Sequence, residues 1–109
     1  MPHDESLVRR VRRLLADQSG VVEKKMFGGL TFMLQGNMCC GVTGDKLVVR
    51  VGTEQYEEAL AQPGVRPMDF TGRPLKGFVY VSAEACTSDD ALQDWVTRAV
   101  EFALSLPPK

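Results

Sequence analysis

Apolar residues near the start of the chain recur at the spacing of one helical face. Intervals of three and four residues across residues 5–18 predict an amphipathic helix, which ends near Gly20. The apolar positions of this helix are Leu7, Val8, Val11, Leu14 and Leu15. The opposite face carries a run of arginines: Arg9, Arg10, Arg12 and Arg13.

The pattern then changes to alternation with a period of two, which is typical of strands that are buried on one face. Three such segments are separated by Gln35-Gly36-Asn37 and by Gly44-Asp45, so we expect a meander with a three-residue and a two-residue loop. This register pairs Phe32 with Cys40 and Leu34 with Met38. It gathers one inner set: Leu30, Phe32, Leu34, Met38, Cys40, Val42, Leu47, Val49 and Val51. Met33, Cys39, Val48 and Arg50 are then predicted on the outer face, with Cys39 opposite Arg50.

The second half of the chain adds two helices and two strands. A short helix containing Tyr56 ends at Pro63-Gly64, and short strands are expected at residues 66–69 and 78–81. Thr87 or Ser88 caps a last helix that runs to about Leu104. The order is helix, three-strand meander, helix, two strands, helix. Local pairing and short loops predict an α+β fold with an antiparallel sheet backed by helices.

Composition narrows the class of protein. A chain of 109 residues with 44% hydrophobic residues suits a single globular domain, 1–109. It carries no signal peptide and no apolar run long enough to span a bilayer, so we expect a cytoplasmic protein without membrane contact. The net charge of -1 argues against direct nucleic-acid binding as its main role.

The residues that usually carry catalysis or metal binding are sparse. The three cysteines, Cys39, Cys40 and Cys86, form no disulfide framework, and His3 is the single histidine. A zinc site of four ligands would have to recruit that terminal histidine, so we expect no metal and no cofactor. Arg50 would favour a thiolate at an exposed Cys39, but no histidine is available as its base. A packed or semi-exposed thiol is therefore preferred over a reactive or redox-sensing Cys39, because free cysteine usually behaves as a small hydrophobic residue. The sequence predicts no catalytic residues.

Two charged segments are candidate binding sites. Arg66, Asp69, Arg73 and Lys76 lie among glycines in a loop that could hold an anion or a protein partner. The competing interpretation is structural, with Asp69 and the glycines shaping a turn. The arginines of the first helix could likewise contact phosphates, but a solvated helix face that pairs with nearby acids is the simpler explanation.

Two blocks of sequence resemble the TfoX N-terminal domain family, also called TfoX/Sxy. They are Met26-Phe27-Gly28-Gly29, followed by the meander, and Arg66-Pro67-Met68 through Gly77-Phe78-Val79-Tyr80. The resemblance implies an antiparallel sheet with helices on one face, similar to secretion-chaperone folds. It also implies a relation to competence regulators that act on transcription with partner proteins. The C-terminal helical domain of the longer family members is expected to be absent here.

The predicted function is therefore that of a non-catalytic, cytosolic protein-interaction or regulatory module. Its predicted contacts are the outer sheet face (Met33, Cys39 and Arg50) and the loop that carries Arg66, Asp69, Arg73 and Lys76. The partner is a protein of unknown identity or a second copy of the chain. The alternative is a small-molecule or nucleotide-phosphate binding protein that uses Arg66, Arg73 and Lys76.

Overall fold

The computed structural model describes residues 4–26, 29–69, 72 and 76–107, and it has the predicted α+β architecture. Within these residues, a six-stranded antiparallel sheet carries three α-helices and one 3-10 turn. The helices are α1 (Glu5–Leu14), α2 (Tyr56–Leu60) and α3 (Asp89–Leu104), and the turn is Ala83–Cys86. The strands are β1 (Val21–Met26), β2 (Gly29–Leu34), β3 (Asn37–Thr43), β4 (Lys46–Arg50), β5 (Val65–Pro67) and β6 (Phe78–Val81).

The two long helices begin where side-chain caps satisfy their free backbone N–H groups. The Asp4 carboxylate accepts from the N–H groups of Ser6 and Leu7, so α1 starts at Glu5. The Ser88 hydroxyl accepts from the N–H of Ala91 and starts α3 in the same way. This confirms the predicted cap of the last helix.

The strand order in the sheet is β1-β2-β3-β4-β6-β5. The predicted meander is present as β2, β3 and β4, but β1 precedes it as a fourth strand that the sequence pattern did not reveal. After α2, the chain forms the edge strand β5 and then returns as β6 between β5 and β4. The two edge strands of the sheet are therefore β1 and β5.

The turn between β3 and β4 has the predicted register, whereas the turn between β2 and β3 is shorter than predicted. Val42 pairs with Leu47 around the two residues Gly44 and Asp45. Between β2 and β3 the turn is Gln35-Gly36, with φ values of 53° and 85°. Positive φ at both central residues belongs to a type I′ turn, the type that fits two-residue hairpins.

A β-bulge at Cys39 compensates for the residue missing from this turn. Phe32 pairs with Cys40 as predicted, but the next pair is Met33 with Met38, which leaves Cys39 without an opposite residue. The predicted pair of Leu34 with Met38 is therefore wrong, and Met38 lies on the outer face. The prediction that Cys39 lies on the outer face is also wrong, because the bulge turns this side chain into the main core, where 1% of it is exposed.

The main core lies between the sheet and the helices, which all contribute to the same face, as predicted. Sheet residues such as Phe32 and Val49 meet Val11 of α1, Tyr56 of α2 and Trp95 of α3 in one buried cluster. Except for Met38, the predicted inner set is buried or packed against this cluster. Burying one large aliphatic or aromatic side chain contributes about 1.5–3 kcal/mol, so this cluster supplies most of the hydrophobic stabilisation.

Candidate functional site

The outer face of the sheet holds a second, smaller apolar cluster. Its buried centre consists of Met38, Val48 and Met68, and no more than 7% of any of them is exposed. Their neighbours Met33, Phe78 and Tyr80 are only half-buried. The apolar surface that this face offers to another molecule is therefore its rim of half-buried side chains and not the predicted Val48.

The pairing of β4 with β6 assembles this surface. Val48 pairs with Tyr80 and Arg50 with Phe78, and opposite residues share a face. Arg66 of β5 pairs with Tyr80 from the other side. Because β6 lies between β4 and β5 in the sheet, Arg50 and Arg66, which are distant in the sequence, come to lie on one face.

Aromatic rings hold the cationic groups of this face in place. The guanidinium of Arg50 lies 5.4 Å from the centre of the Phe78 ring and 5.2 Å from that of Phe102 in α3. Lys46 Nζ lies 6.0 Å from the centre of the Tyr80 ring. Such cation–π contacts contribute about 0.5–1 kcal/mol each at partly exposed sites. Among the described residues, no carboxylate forms a salt bridge with Arg50.

The charges of Asp69 and Arg66 have opposite effects on the pKa of Tyr80. Burial and the negative charge of Asp69 raise the pKa of Tyr80, and the positive charge of Arg66 partly opposes this. We call the seven residues of this surface the outer-face patch: Met33, Lys46, Arg50, Arg66, Asp69, Phe78 and Tyr80. It has an apolar middle and a charged rim.

The predicted binding loop adjoins the patch. Arg66, Pro67, Asp69 and Gly72 line an open cavity of about 390 Å³. The N–H of Gly72, at φ 85°, donates to the Asp69 carbonyl over 2.8 Å and closes a turn, which is the structural role considered for this segment. Lys76 is exposed. Arg73 lies outside the described residues, so its predicted place in the site stays a prediction.

The end of this loop is fixed to the end of β4. The Gly77 carbonyl accepts from the N–H groups of Val51 and Gly52, over 2.8 and 3.1 Å. Gly77 has a φ of 95°, a conformation that favours glycine. These two hydrogen bonds place Phe78, the next residue, beside Arg50.

The three cysteines are buried and free, so they contribute no exposed thiol to the patch. A hydrogen bond with Cys39, together with burial, raises the pKa of the Cys40 thiol. Burial raises the pKa of Cys86 to about 11, and the positive charge of the nearby Arg10 partly offsets this rise. The burial of the Cys39 thiol agrees with the packed interpretation of this residue and not with a reactive one.

Two arginines of α1 are engaged in contacts within the chain. Arg12 forms a bidentate salt bridge with Glu23 of β1, with both N–O distances at 2.8 Å. Arg10 binds the carbonyl oxygens of Cys86 and Thr87 and the Asp89 carboxylate. These contacts favour the interpretation of this helix face as a structural, solvated surface.

A cleft of about 380 Å³ lies on the helical side, between the segment 51–55 and the C-terminal half of α3. Arg98 lines it, stacks on Trp95 and forms a bidentate salt bridge with Glu58 of α2, at 2.7 and 3.0 Å. Because Arg98 is already paired, the described residues that line this cleft include no free cation. Within residues 4–26, 29–69, 72 and 76–107, no group of three or more His, Cys, Asp or Glu side chains could hold a metal ion. Over the same residues, no helix has the length and apolar character needed to cross a membrane.

Sequence reasoning identified Met33, Arg50, Arg66 and Asp69 but missed the two aromatic members of the patch and Lys46. Phe78 and Tyr80 were recognised as strand residues, yet the partner strand of β6 was not assigned. The available signal was the alternation in residues 78–81, which predicts that Phe78 and Tyr80 share one face.

The family of the chain follows from its sequence as a whole. The family model described as the TfoX N-terminal domain matches residues 13–103, which is most of the chain. The chain therefore belongs to this family, and in general terms it is a competence-regulator-like domain. Comparison with curated proteins finds no match.

Proposed function

We propose that this TfoX N-terminal domain is a non-catalytic, cytosolic protein-interaction module that contacts its partner through the outer-face patch. The observation that carries the proposal is the combination of half-buried Met33, Phe78 and Tyr80 with a charged rim. Aromatic residues, methionine and arginine are enriched where proteins bind each other, and a polar rim surrounds such contacts.

The stacking of Arg50 prepares it for binding. A free arginine side chain loses about 2 kcal/mol of rotamer entropy when it is fixed in an interface. Between Phe78 and Phe102 the guanidinium is already held, so less of this cost remains at the moment of binding. Its planar fork of N–H groups matches a carboxylate.

The charges of the patch suggest the chemistry of the partner. Lys46, Arg50 and Arg66 are cationic, and Asp69 is the single acid among the seven residues of the patch. Lys76, at the end of the adjoining loop, adds a further positive charge. A partner segment with acidic residues around an apolar or aromatic anchor would complement this surface.

A photo-cross-linking amino acid at position 80 tests this assignment. Placed there in the chain inside its own cells, it should cross-link to a defined protein, and Arg66→Glu should reduce the yield. The matched control carries the same amino acid at Thr97, an exposed position of α3 on the helical side. Equal cross-linking to the same protein from both positions would contradict contact through the patch.

The alternative, a small anionic ligand, is favoured by one observation. The cavity that Arg66 helps to line, about 390 Å³, falls within the size range of ligand pockets. A thermal-shift panel of nucleotides and sugar phosphates distinguishes the two functions, because a ligand at about 100 times its Kd adds about 2.7 kcal/mol. Stabilisation that Arg66→Glu abolishes would favour the ligand-binding function over the protein-interaction module.

A further inference from the structure

The two edges of the sheet differ in how well they are protected from another strand. Edge strand β5 has three residues, one of which is Pro67, so it offers little backbone to a partner. Edge strand β1 has six residues and no proline. Its Val22 is 52% exposed, which makes it one of two exposed large hydrophobic residues among those described. The edge formed by β1 is therefore the one that can accept a further strand.

The register of β1 identifies which of its backbone groups are free. Gly20 and Gln35 lie opposite each other, next to the pair of Val21 and Leu34, and the N–H of Gln35 donates to the Gly20 carbonyl. In an antiparallel ladder, hydrogen-bonded and non-hydrogen-bonded pairs alternate. The N–H and C=O groups of Val22 and Lys24 consequently face β2, whereas those of Glu23 and Lys25 point away from the sheet.

The charges along β1 select the strand that fits this edge. Glu23 and Lys25 are two residues apart, so their side chains lie on the same face of the sheet. In an antiparallel copy of the same strand centred on Lys24, each Glu23 lies opposite Lys25 of the other copy. Opposite charges then face each other twice. The backbone groups of Glu23 and Lys25, which point away from their own sheet, also lie opposite each other and can form hydrogen bonds between the two copies.

We propose that two copies of the chain associate through antiparallel pairing of their β1 strands, with the two-fold axis at Lys24. Glu23 and Lys25 of each copy exchange four backbone hydrogen bonds with the other, and the two sheets become one sheet of twelve strands. The neighbouring antiparallel registers pair less well. Centring on Glu23 places the two glutamates opposite each other, and centring on Lys25 does the same for the two lysines.

Two features of β1 set the strength of this association. Val22, half exposed in the single chain, lies beside the added strand and loses contact with water. The two Lys24 side chains oppose each other at the axis, which weakens the pairing. The dimer is therefore expected to be in equilibrium with the monomer, and Lys24→Thr should strengthen it.

Charge exchange at β1 tests the proposal by sedimentation of the full chain. The wild type should show a concentration-dependent equilibrium between monomer and dimer. Glu23→Lys and Lys25→Glu should each weaken self-association by about tenfold, because each places like charges opposite each other twice. An equimolar mixture of the two variants should dimerise again, since every facing pair in the mixed dimer is then of opposite charge.

Two results of the charge-exchange experiment would overturn the proposal. One is a wild-type chain that stays monomeric at millimolar concentration, and the other is a pair of variants whose mixture associates no better than either alone. Glu23→Lys also removes the partner of Arg12, so circular dichroism must confirm that it folds. Lys25→Pro is the second variant, because the N–H that it removes points away from β2 and the sheet within each copy keeps its hydrogen bonds. It should weaken dimerisation, and unchanged dimerisation of a folded Lys25→Pro chain would also contradict the pairing. The outer-face patch contains no β1 residue, so this test is independent of the proposed function.

Discussion

Replacing Cys39 with serine tests the bulge in β3. In an unbulged strand this side chain would lie on the outer face beside Arg50, where serine would change stability by less than about 0.5 kcal/mol. In the structure the Cys39 side chain is 1% exposed and packs within the main core. Burying a hydroxyl there is expected to cost about 1–3 kcal/mol, measured as a loss in the free energy of unfolding.

Thiol labelling of the wild type provides the direct assay. The exposed fractions of Cys39, Cys40 and Cys86 are 1%, 0% and 1%, so labelling has to await an opening of the fold. For a domain with a free energy of unfolding of about 5 kcal/mol, the globally unfolded fraction is about 2 in 10⁴. All three thiols should therefore react about 10³- to 10⁴-fold more slowly than in denaturant, provided that opening is fast relative to labelling.

An exposed thiol supplies the control. Thr97→Cys places a new thiol on the solvent side of α3, and it should label rapidly in the folded protein. One fast-reacting thiol in the wild type that disappears in Cys39→Ser would refute the bulge. Slow labelling of all three native cysteines, together with the stability loss in Cys39→Ser, is the expected result.

Three further outcomes are expected. Gly29→Ala should lower the free energy of unfolding by about 3 kcal/mol, because its Cβ would lie 1.9 Å from the Val42 carbonyl oxygen. Gly44→Ala, at φ 59° with open space around it, should cost only about 1–2 kcal/mol in the same denaturation assay, and equal losses would contradict this packing. The hydrogen bond with Arg12 lowers the pKa of Glu23, so its contribution to stability is present above its unfolded pKa, near 4.3, and is lost as the pH falls through the lower folded pKa. Glu23→Gln should flatten the pH dependence of unfolding in that acidic window, and an unchanged profile would argue against the salt bridge. Burial and Asp69 raise the pKa of Tyr80, so Tyr80→Phe should remove from the ultraviolet titration a phenol with a raised pKa, and a titration in which Tyr80→Phe removes no such phenol would contradict this environment.

The parts of the fold that could be predicted are those in which side-chain pattern and backbone requirement agree. The apolar spacing in α1 and the two-residue turn at Gly44 each have one simple solution, and the structure adopts it. The hairpin between β2 and β3 has two possible solutions. A three-residue loop, or the two-residue turn Gln35-Gly36 followed by a bulge, brings Phe32 opposite Cys40 in either case. The pattern alone could not separate them, because Met38 and Cys39 are both apolar.

Strand β1 was missed for a related reason. An inward position of a strand is normally apolar, but Glu23 points to the helical side and is satisfied there by Arg12 of α1. A strand that replaces a core residue with a salt bridge to a helix has no alternating pattern to recognise. The outer-face patch was recognised only in part, because the partner of β6 is set by a crossover between strands that are not adjacent in the sequence.

The two proposed contacts are geometrically compatible and would reinforce each other. Directly opposite residues of an antiparallel pair share a face, so joining two copies at β1 places both outer-face patches on the same side of the twelve-stranded sheet. A partner with two binding segments could then engage both patches, and its second contact would form at a raised effective concentration. Lys25→Glu should therefore weaken binding of a two-segment partner while leaving the contact of a single segment intact. Arg66→Glu should weaken both, because it alters the patch itself. This difference separates a failure of the pairing at β1 from a failure of the patch.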